Sequence, residues 1–577
     1  MHKNSIKKKS LLNFLLISFI LVIPSQINII YSNQRNATFS TLGLIFSLFL
    51  YYKYFDENLF LDQLKKFFKK FKLKFSIFTS MIFLLFITFI TQAYYLNFET
   101  IEWDVASYLV ASSELDNGFL PNETQWESKG PVFLYMYNFF INIVGQNFVL
   151  FRLLNDFLLF LLSAIIFFIV YETSERKIVP SFFSSLLFLL LTSQAWSVSE
   201  YSELYSLLFL GLSYYLYLHK IKNKNILIFL GLLFSFSTLI NQGTVLFLIP
   251  IILGIYILYK NNNPIKKLAT FTFWFLIPHL FFLALYSLNG LLDIYISTYI
   301  EIPLGYTTAS YANLYELKVF LRKFYEYNFY LYASFLLLLV FVLKEAIRGI
   351  KTNYNSILFD FLNLNLLVSI VFYFIGSHNY YHHLFFLLFN VSLLISRIKF
   401  KKENILISVL IIFSSLTIIN NLSEKSIENL FSLDEISKNY PLKNLSEEID
   451  SYFDQDYSVL AMDYVLVLYY LDKPNYSYIV HPSNHFEDFI VTTLEKKNRI
   501  PSNHISAMID SKPDVIICNQ RMIIRGKPTK VDTYNCQVSD YYKEYLELDT
   551  TRYLKNENLN YYYDPYKEIK VFIKQDS

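Results

Sequence analysis

Apolar residues come along this chain in blocks long enough to cross a bilayer, separated by short connections that are either lysine-rich or acidic and aromatic. A hydrocarbon core about 30 Å thick needs roughly 20 apolar residues per helix. The blocks predict spans near residues 11–30, 38–54, 75–96, 148–171, 178–195, 202–219, 225–241, 243–260, 267–288, 328–345, 356–376, 382–397 and 404–421, thirteen in all. The opening "MHKNSIKKKSLLNFLLISFILVIP" has the form of a secretory signal, but no small-residue cleavage site follows it, so it reads as a retained anchor. Beyond residue 421 the period changes. "YSVLAM", "YSYIVHP" and "PDVIICN" predict short strands, with "HFEDFIVTTLEKKN" and "HISAMIDS" as intervening helices.

Basic residues orient the spans, because short cytoplasmic loops retain them. "KNSIKKK", "KKFFKKFKLK", "ETSERK", "HKIKNKN", "YKNNNPIKK", "KEAIRGIK" and "SRIKFKK" alternate with lysine-poor connections, as thirteen spans with an inside N-terminus require. One further apolar block, "PVFLYMYNFFINIVG" at 131–145, would push every later basic loop outside if it crossed. Its length, roughly 15 residues, predicts a helix lying in the outer interface instead. The expected fold is a polytopic α-helical membrane protein of about 13 transmembrane helices with a small outward-facing α/β C-terminal domain. The expected divisions are 1–74, an N-terminal hairpin and basic connector; 75–421, the membrane core; and 422–577, the extracytoplasmic domain.

Composition agrees: 54% hydrophobic, 19% aromatic and 17% charged residues over 577 positions exceed what one soluble core holds. A net charge of +3 gives no electrostatic footprint for nucleic acid, which is excluded as a partner. The 48 Tyr and 58 Phe pack helices for the most part, although an aromatic groove suits a long isoprenoid. Two cysteines, Cys518 and Cys536, fall in the C-terminal region; on an oxidising face they either pair or stay free, and spacing does not decide.

The outer loop 97–147 is unusually polar for such a chain. It carries "WDVASYLVASSELDNGFLPNETQWESKGPVFLYMYN", in which Asp116 and Glu123 read as solvated carboxylates. Its order of Asp104, Tyr108, Gly118, Pro121 and Lys129-Gly130-Pro131 resembles the first outer loop of C-type-fold membrane glycosyltransferases. The branch it resembles is the bacterial one of the protein O-mannosyltransferase and lipid A aminoarabinose transferase superfamily. Two features depart from that pattern: no second acidic residue flanks Asp104, and Gly130 replaces the first Pro of a Lys-Pro-Pro-like turn. "FVLFRLLNDFLLFLL" with Arg152, "SVSEYSELYSLLFLG" with Glu200 and Glu203, and "GSHNYYHHLFFLLF" with His378, His382 and His383 extend the likeness over roughly residues 75–420.

The resemblance implies transfer of a sugar from a polyprenyl-phosphate donor to a lipid, surface glycan or protein acceptor, at the outer face of a bacterial inner membrane. The chemistry suits these residues. A phosphate is already a good leaving group, so one carboxylate to take the acceptor's proton suffices, and Asp104 is the candidate catalytic base, expected in an aqueous cleft. The departing phosphate needs a cation or oriented donors, for which Lys129, His378, His382 and His383 lie on the outer side. A divalent metal would serve the same end, but no motif fixes one. Glu203 either enters the site or favours its helix start; Arg152 either belongs to the donor site or snorkels to headgroups. The second outer loop, 289–325, is expected to form short interfacial helices beside the site. A transporter or flippase for a lipid-linked saccharide is the alternative reading. It calls for ionisable residues or broken helices at the midplane, whereas the charges here cluster in outer loops. A nonenzymatic scaffold leaves the loop constellation unexplained.

Overall fold

The computed structural model describes residues 76–99, 103–193, 200–220, 225–309, 360–375, 381–394, 422–518, 545–554 and 569–575. The expected spans at 11–30, 38–54, 328–345 and 404–421, the basic connector, residues 310–325 of the second outer loop, His378 and Cys536 lie outside them.

Helix α1 (Ile77–Gln92) starts on a capping box: the Thr79 amide donates to Ser76 Oγ at 3.2 Å and the Ser76 amide to Thr79 Oγ1 at 2.9 Å. It runs on through a 3₁₀ turn, Ala93–Asn97. Helix α2 (Trp103–Ser113) carries the first part of the polar loop. Helix α3 (Pro131–Val144) begins with Pro at its first position and ends at Gly145, whose φ of 66° suits a residue without a side chain. One face of α3 buries Phe133, Leu134, Tyr137 and Ile141, while Tyr135, Phe139 and Ile143 stay exposed. An apolar stripe left open on a 14-residue helix fits the interfacial placement expected for it.

The core continues with α4 (Phe148–Thr173), α5 (Ile178–Leu191), α6 (Ser202–Lys220) and α7 (Ile226–Ile240). Then come α8 (Leu248–Leu258), α9 (Pro264–Leu288), α10 (Leu292–Ile296), α11 (Ile302–Ala309), α12 (Phe361–Ile375) and α13 (Leu384–Leu394). Among the described residues three stretches are long and apolar enough to cross a membrane: Ile77–Asn97, Phe148–Thr173 and Pro264–Leu288. The other apolar helices are shorter, 10–17 residues. The block at 243–260 divides into a 3₁₀ stretch, Gln242–Phe247, and α8, because Asn241 turns its side chain onto the Gly243 amide (3.1 Å). Small hydroxyl residues seat helices against each other: Ser206 and Ser237 exchange hydrogen bonds between α6 and α7, their Oγ atoms 2.8 Å apart.

The C-terminal segment holds a four-stranded sheet in the order β1-β2-β4-β3. Strands β1 (Val459–Ala461) and β2 (Val515–Cys518) are parallel; β4 (Lys570–Lys574) runs antiparallel to both β2 and β3 (Tyr545–Glu547). Residues 476–482 do not join this sheet, contrary to the strand their pattern predicts. Ile479 pairs instead with Trp126 of the outer loop, whose amide donates to Tyr478 O, and Val480 N returns a bond to Trp126 O at 3.3 Å. Cys518 is disulfide-bonded.

Candidate functional site

That pairing places the site. Gln125 and Asn475 lock the two segments side by side: Gln125 Nε2 donates to Asn475 O and the Asn475 amide donates to Gln125 Oε1, both at 2.9 Å. Trp126 is fully buried, with Nε1 on Thr298 Oγ1 at 2.9 Å, so the second outer loop clamps the same strand. Across the cleft Trp103 Nε1 donates to Asp463 Oδ1 at 2.9 Å. The chain leaving Val480 is thereby brought over the first turn of α2, where His481 Nε2 stands 3.0 Å from Asp104 Oδ1.

In the neutral form of His481 the Ser483 amide, 3.2 Å from Nδ1, favours the tautomer with its proton on Nε2, facing Asp104; in the charged form Nε2 carries a proton as well. Asp104 is 15% exposed at its side chain, more enclosed than an aqueous cleft would leave it. Burial raises its pKa, but the His481 hydrogen bond and the charges of His481, Lys129 and His382 outweigh that and hold the carboxyl below its ordinary range. For His481 burial lowers the pKa, and the hydrogen bond and charge of Asp104, with the charge of Glu127, carry it above the usual value. The result is a fully ionised carboxylate with Oδ1 engaged and Oδ2 available.

Lys129 lies 5.5 Å over the ring of buried Tyr108, which packs edge-on against Phe133 and Tyr137. Gly130 puts it there. A Cβ at that position would stand 1.7 Å from Leu239 O, so the turn runs flush against the end of α7, with Gly130 N on Ile240 O at 3.2 Å. No proline fits such an approach, which accounts for the departure from the family turn. Glu127 is buried; its Oε1 takes the Ser128 amide (2.7 Å) and hydroxyl (3.0 Å), and Oε2 has no hydrogen-bond partner among the described residues. Burial raises its pKa, against the opposing pull of His481 and Lys129.

His382 and His383 occupy the 3₁₀ turn Tyr381–His383 ahead of apolar α13. His382 stacks on Tyr201 at 4.6 Å and His383 packs edge-on to Phe372 at 5.9 Å. Glu203, fully buried at the start of α6, accepts from Asn241 Nδ2 at 3.0 Å and Ser202 Oγ at 3.2 Å, and its Oε1 lies 3.8 Å from His383 Nε2. A ligand atom from each of Glu203, His382 and His383 falls within 4.8 Å of the others, close enough for the three to share a metal ion.

The structure therefore gathers Asp104, Lys129, Glu203, His382 and His383 at one place and adds His481 and Glu127, which the sequence reading left out. It sends Arg152 elsewhere. That guanidinium is buried and bound by Glu200 Oε1 (2.7 Å), Tyr95 O (3.0 Å) and Phe98 O (2.5 Å), a brace between α4 and two chain segments. With these three acceptors Arg152 ties α4 to the segment at 95–98 and to Glu200, away from the surface where a snorkelling side chain would lie. Asp116 is exposed, as expected, with Asn142 Nδ2 at 2.9 Å.

Comparison with protein families and with curated proteins finds no match. Comparison of folds finds membrane glycosyltransferases of the C type, as the outer-loop resemblance implied. The crystal structure of ArnT from Cupriavidus metallidurans bound to undecaprenyl phosphate aligns with a TM-score of 0.58 at 8% identity, covering 86% of this chain and 97% of ArnT. At that identity the likeness establishes the fold. The apo structure of the same ArnT covers the same shares at 10% identity and a TM-score of 0.42.

Proposed function

We propose that the chain transfers a sugar from a polyprenyl-phosphate donor to an acceptor hydroxyl on a lipid, surface glycan or protein. What carries the reading is an ionised Asp104 held by His481 at 3.0 Å, with the charge of Lys129 acting on it, on a fold whose solved counterpart, ArnT, was crystallised with undecaprenyl phosphate. In this scheme Asp104 Oδ2 takes the acceptor's proton as its oxygen forms a bond to the sugar's anomeric carbon. The bond from that carbon to the phosphate oxygen breaks, and the charge left on the polyprenyl phosphate meets Lys129. His382 and His383 stand beside it as further polar contacts for the donor. His481 holds Asp104 ionised and aimed.

The thirteen-span topology, the division at 74/75 and 421/422, the outward C-terminal domain and the bacterial inner membrane are parts of the same proposal. They are supported by the alternation of basic loops and by the contact of residues 475–481 with the first outer loop. The test is mass spectrometry of envelope lipids and glycans from a deletion strain. Loss of one sugar substituent, with its polyprenyl-phosphate precursor accumulating, is expected. An unaltered glycan and lipid profile, with lipid-linked saccharide redistributed between leaflets, would favour a transporter.

A further inference from the structure

Glu203 raises a problem of charge. Its side chain is fully buried, and among the described residues its hydrogen bonds come from the neutral groups of Asn241 and Ser202. A carboxylate taken out of water with only neutral donors is costly unless a cation compensates it. The His383 ring beside it is 3.8 Å away, beyond hydrogen-bond reach. That spacing has another use. Two ligand atoms, each roughly 2.0–2.1 Å from a tetrahedral zinc ion, stand roughly 3.4 Å apart, so the gap between Glu203 Oε1 and His383 Nε2 is close to the edge of a coordination tetrahedron. His382 supplies the third corner, all three ligand atoms lying within 4.8 Å of one another.

We propose that Glu203, His382 and His383 form a binding site for a divalent transition metal, zinc in class, with one coordination position left open. The donor set is two imidazoles and a carboxylate, the set that suits zinc in catalytic sites, where three protein ligands leave room for a fourth. The outer shell is in place. Asn241 and Ser202 orient the carboxylate, Tyr201 stacks on one ring and Phe372 abuts the other. Asn241 is itself fixed, its Oδ1 taking the Gly243 amide. The two histidines are adjacent in sequence, and the glutamate is supplied from far along the chain, so no short motif announces the site. Gln242, next to the Asn241 that orients Glu203, donates to the carbonyl of Ser128, next to Lys129, so the metal site adjoins a residue assigned to the transfer. Its use there as a second positive contact for the donor phosphate rests on the proposed function; binding of the metal does not.

The test uses the full-length purified protein, stripped with a chelator and titrated with zinc alone. About one equivalent is expected to bind, and X-ray absorption at the zinc edge is expected to show imidazole scattering with nitrogen near 2.0–2.1 Å. His383→Phe, which keeps an aromatic ring, should abolish this binding. Asn241→Ala, which touches only the orienting shell, should weaken it by about 10- to 100-fold. No stoichiometric zinc in the wild-type protein, or an absorption spectrum without imidazole, overturns the site, and that measurement needs no variant to fold. Sugar transfer that proceeds in the stripped protein overturns the use of the metal while leaving the glycosyltransferase reading intact. Zinc bound as expected, with no sugar substituent lost from the deletion strain, overturns the glycosyltransferase reading and leaves the site standing.

Discussion

Asp104 and His481 come from positions 377 residues apart in sequence, and their 3.0 Å contact changes both. Asp104 has a folded pKa below its unfolded value, so its contribution to stability is present above about pH 4 and is lost as pH falls through the depressed value. His481 has a folded pKa above its unfolded value. Its contribution is full below about pH 6.5 and is lost as pH rises through the raised value. The difference in Tm between the wild type and His481→Phe is therefore expected to be greatest between these limits and to shrink on the alkaline side; a difference that keeps growing as pH rises above the His481 titration contradicts the pairing. In transfer assays His481 acts as a positioning residue. Its replacement should lower kcat by about one to two decades, the worth of a charge-assisted hydrogen bond, with donor KM little changed. Lys129→Met should do the reverse, raising donor KM by a similar factor. Arg152→Met should lower stability, by roughly 3–5 kcal/mol for a broken buried pair, in thermal or denaturant unfolding, while the surviving folded protein keeps its donor KM. A selective loss of donor affinity would return Arg152 to the site.

At the scale of elements, much of the membrane core was legible because a hydrophobic block and a helix are nearly the same thing in a bilayer. The predicted 225–241 and 267–288 became Ile226–Ile240 and Pro264–Leu288. Helix α3 was legible as a helix from its apolar block, which became Pro131–Val144. What escaped was pairing between distant segments. "YSYIVHP" alternates like a strand, and nothing local says that its partner is the tryptophan of an outer loop 353 residues earlier. His481 was invisible as a site residue for that reason. Asp104 and Lys129 could be singled out because their neighbours in sequence are also neighbours in the loop, whereas the brace at Arg152 could not, because a buried brace and a phosphate clamp use the same residue type. Gly130 belongs to this scale too. Its Cβ position lies 1.7 Å from the Leu239 carbonyl, so Gly130→Ala must push the loop off α7. Overpacking of this kind typically costs about 1–3 kcal/mol, and here it also shifts Lys129, so a lowered Tm and a raised donor KM should appear together. Either one without the other would separate the packing of this turn from its part in the site.

For the molecule as a whole, the account requires the polar loop, residues 475–481 and the donor to share one side of the membrane. Single cysteines in a cysteine-free background make that measurable. A thiol at Asn142 should label from outside and one in the 172–177 loop from inside; labelling of that loop from outside would make α3 a true span and separate the proposed site from the outer face. The proposed chemistry can be measured as transfer by purified, membrane-reconstituted protein supplied with a polyprenyl-phosphate sugar extract. Asp104→Asn keeps the side chain's shape and an acceptor for His481 but removes the base, so turnover should fall by roughly 10² to 10⁴. Asp116→Asn, a change at an exposed carboxylate of the same loop, should transfer like the wild type. Near-wild-type turnover by folded Asp104→Asn protein would contradict the account.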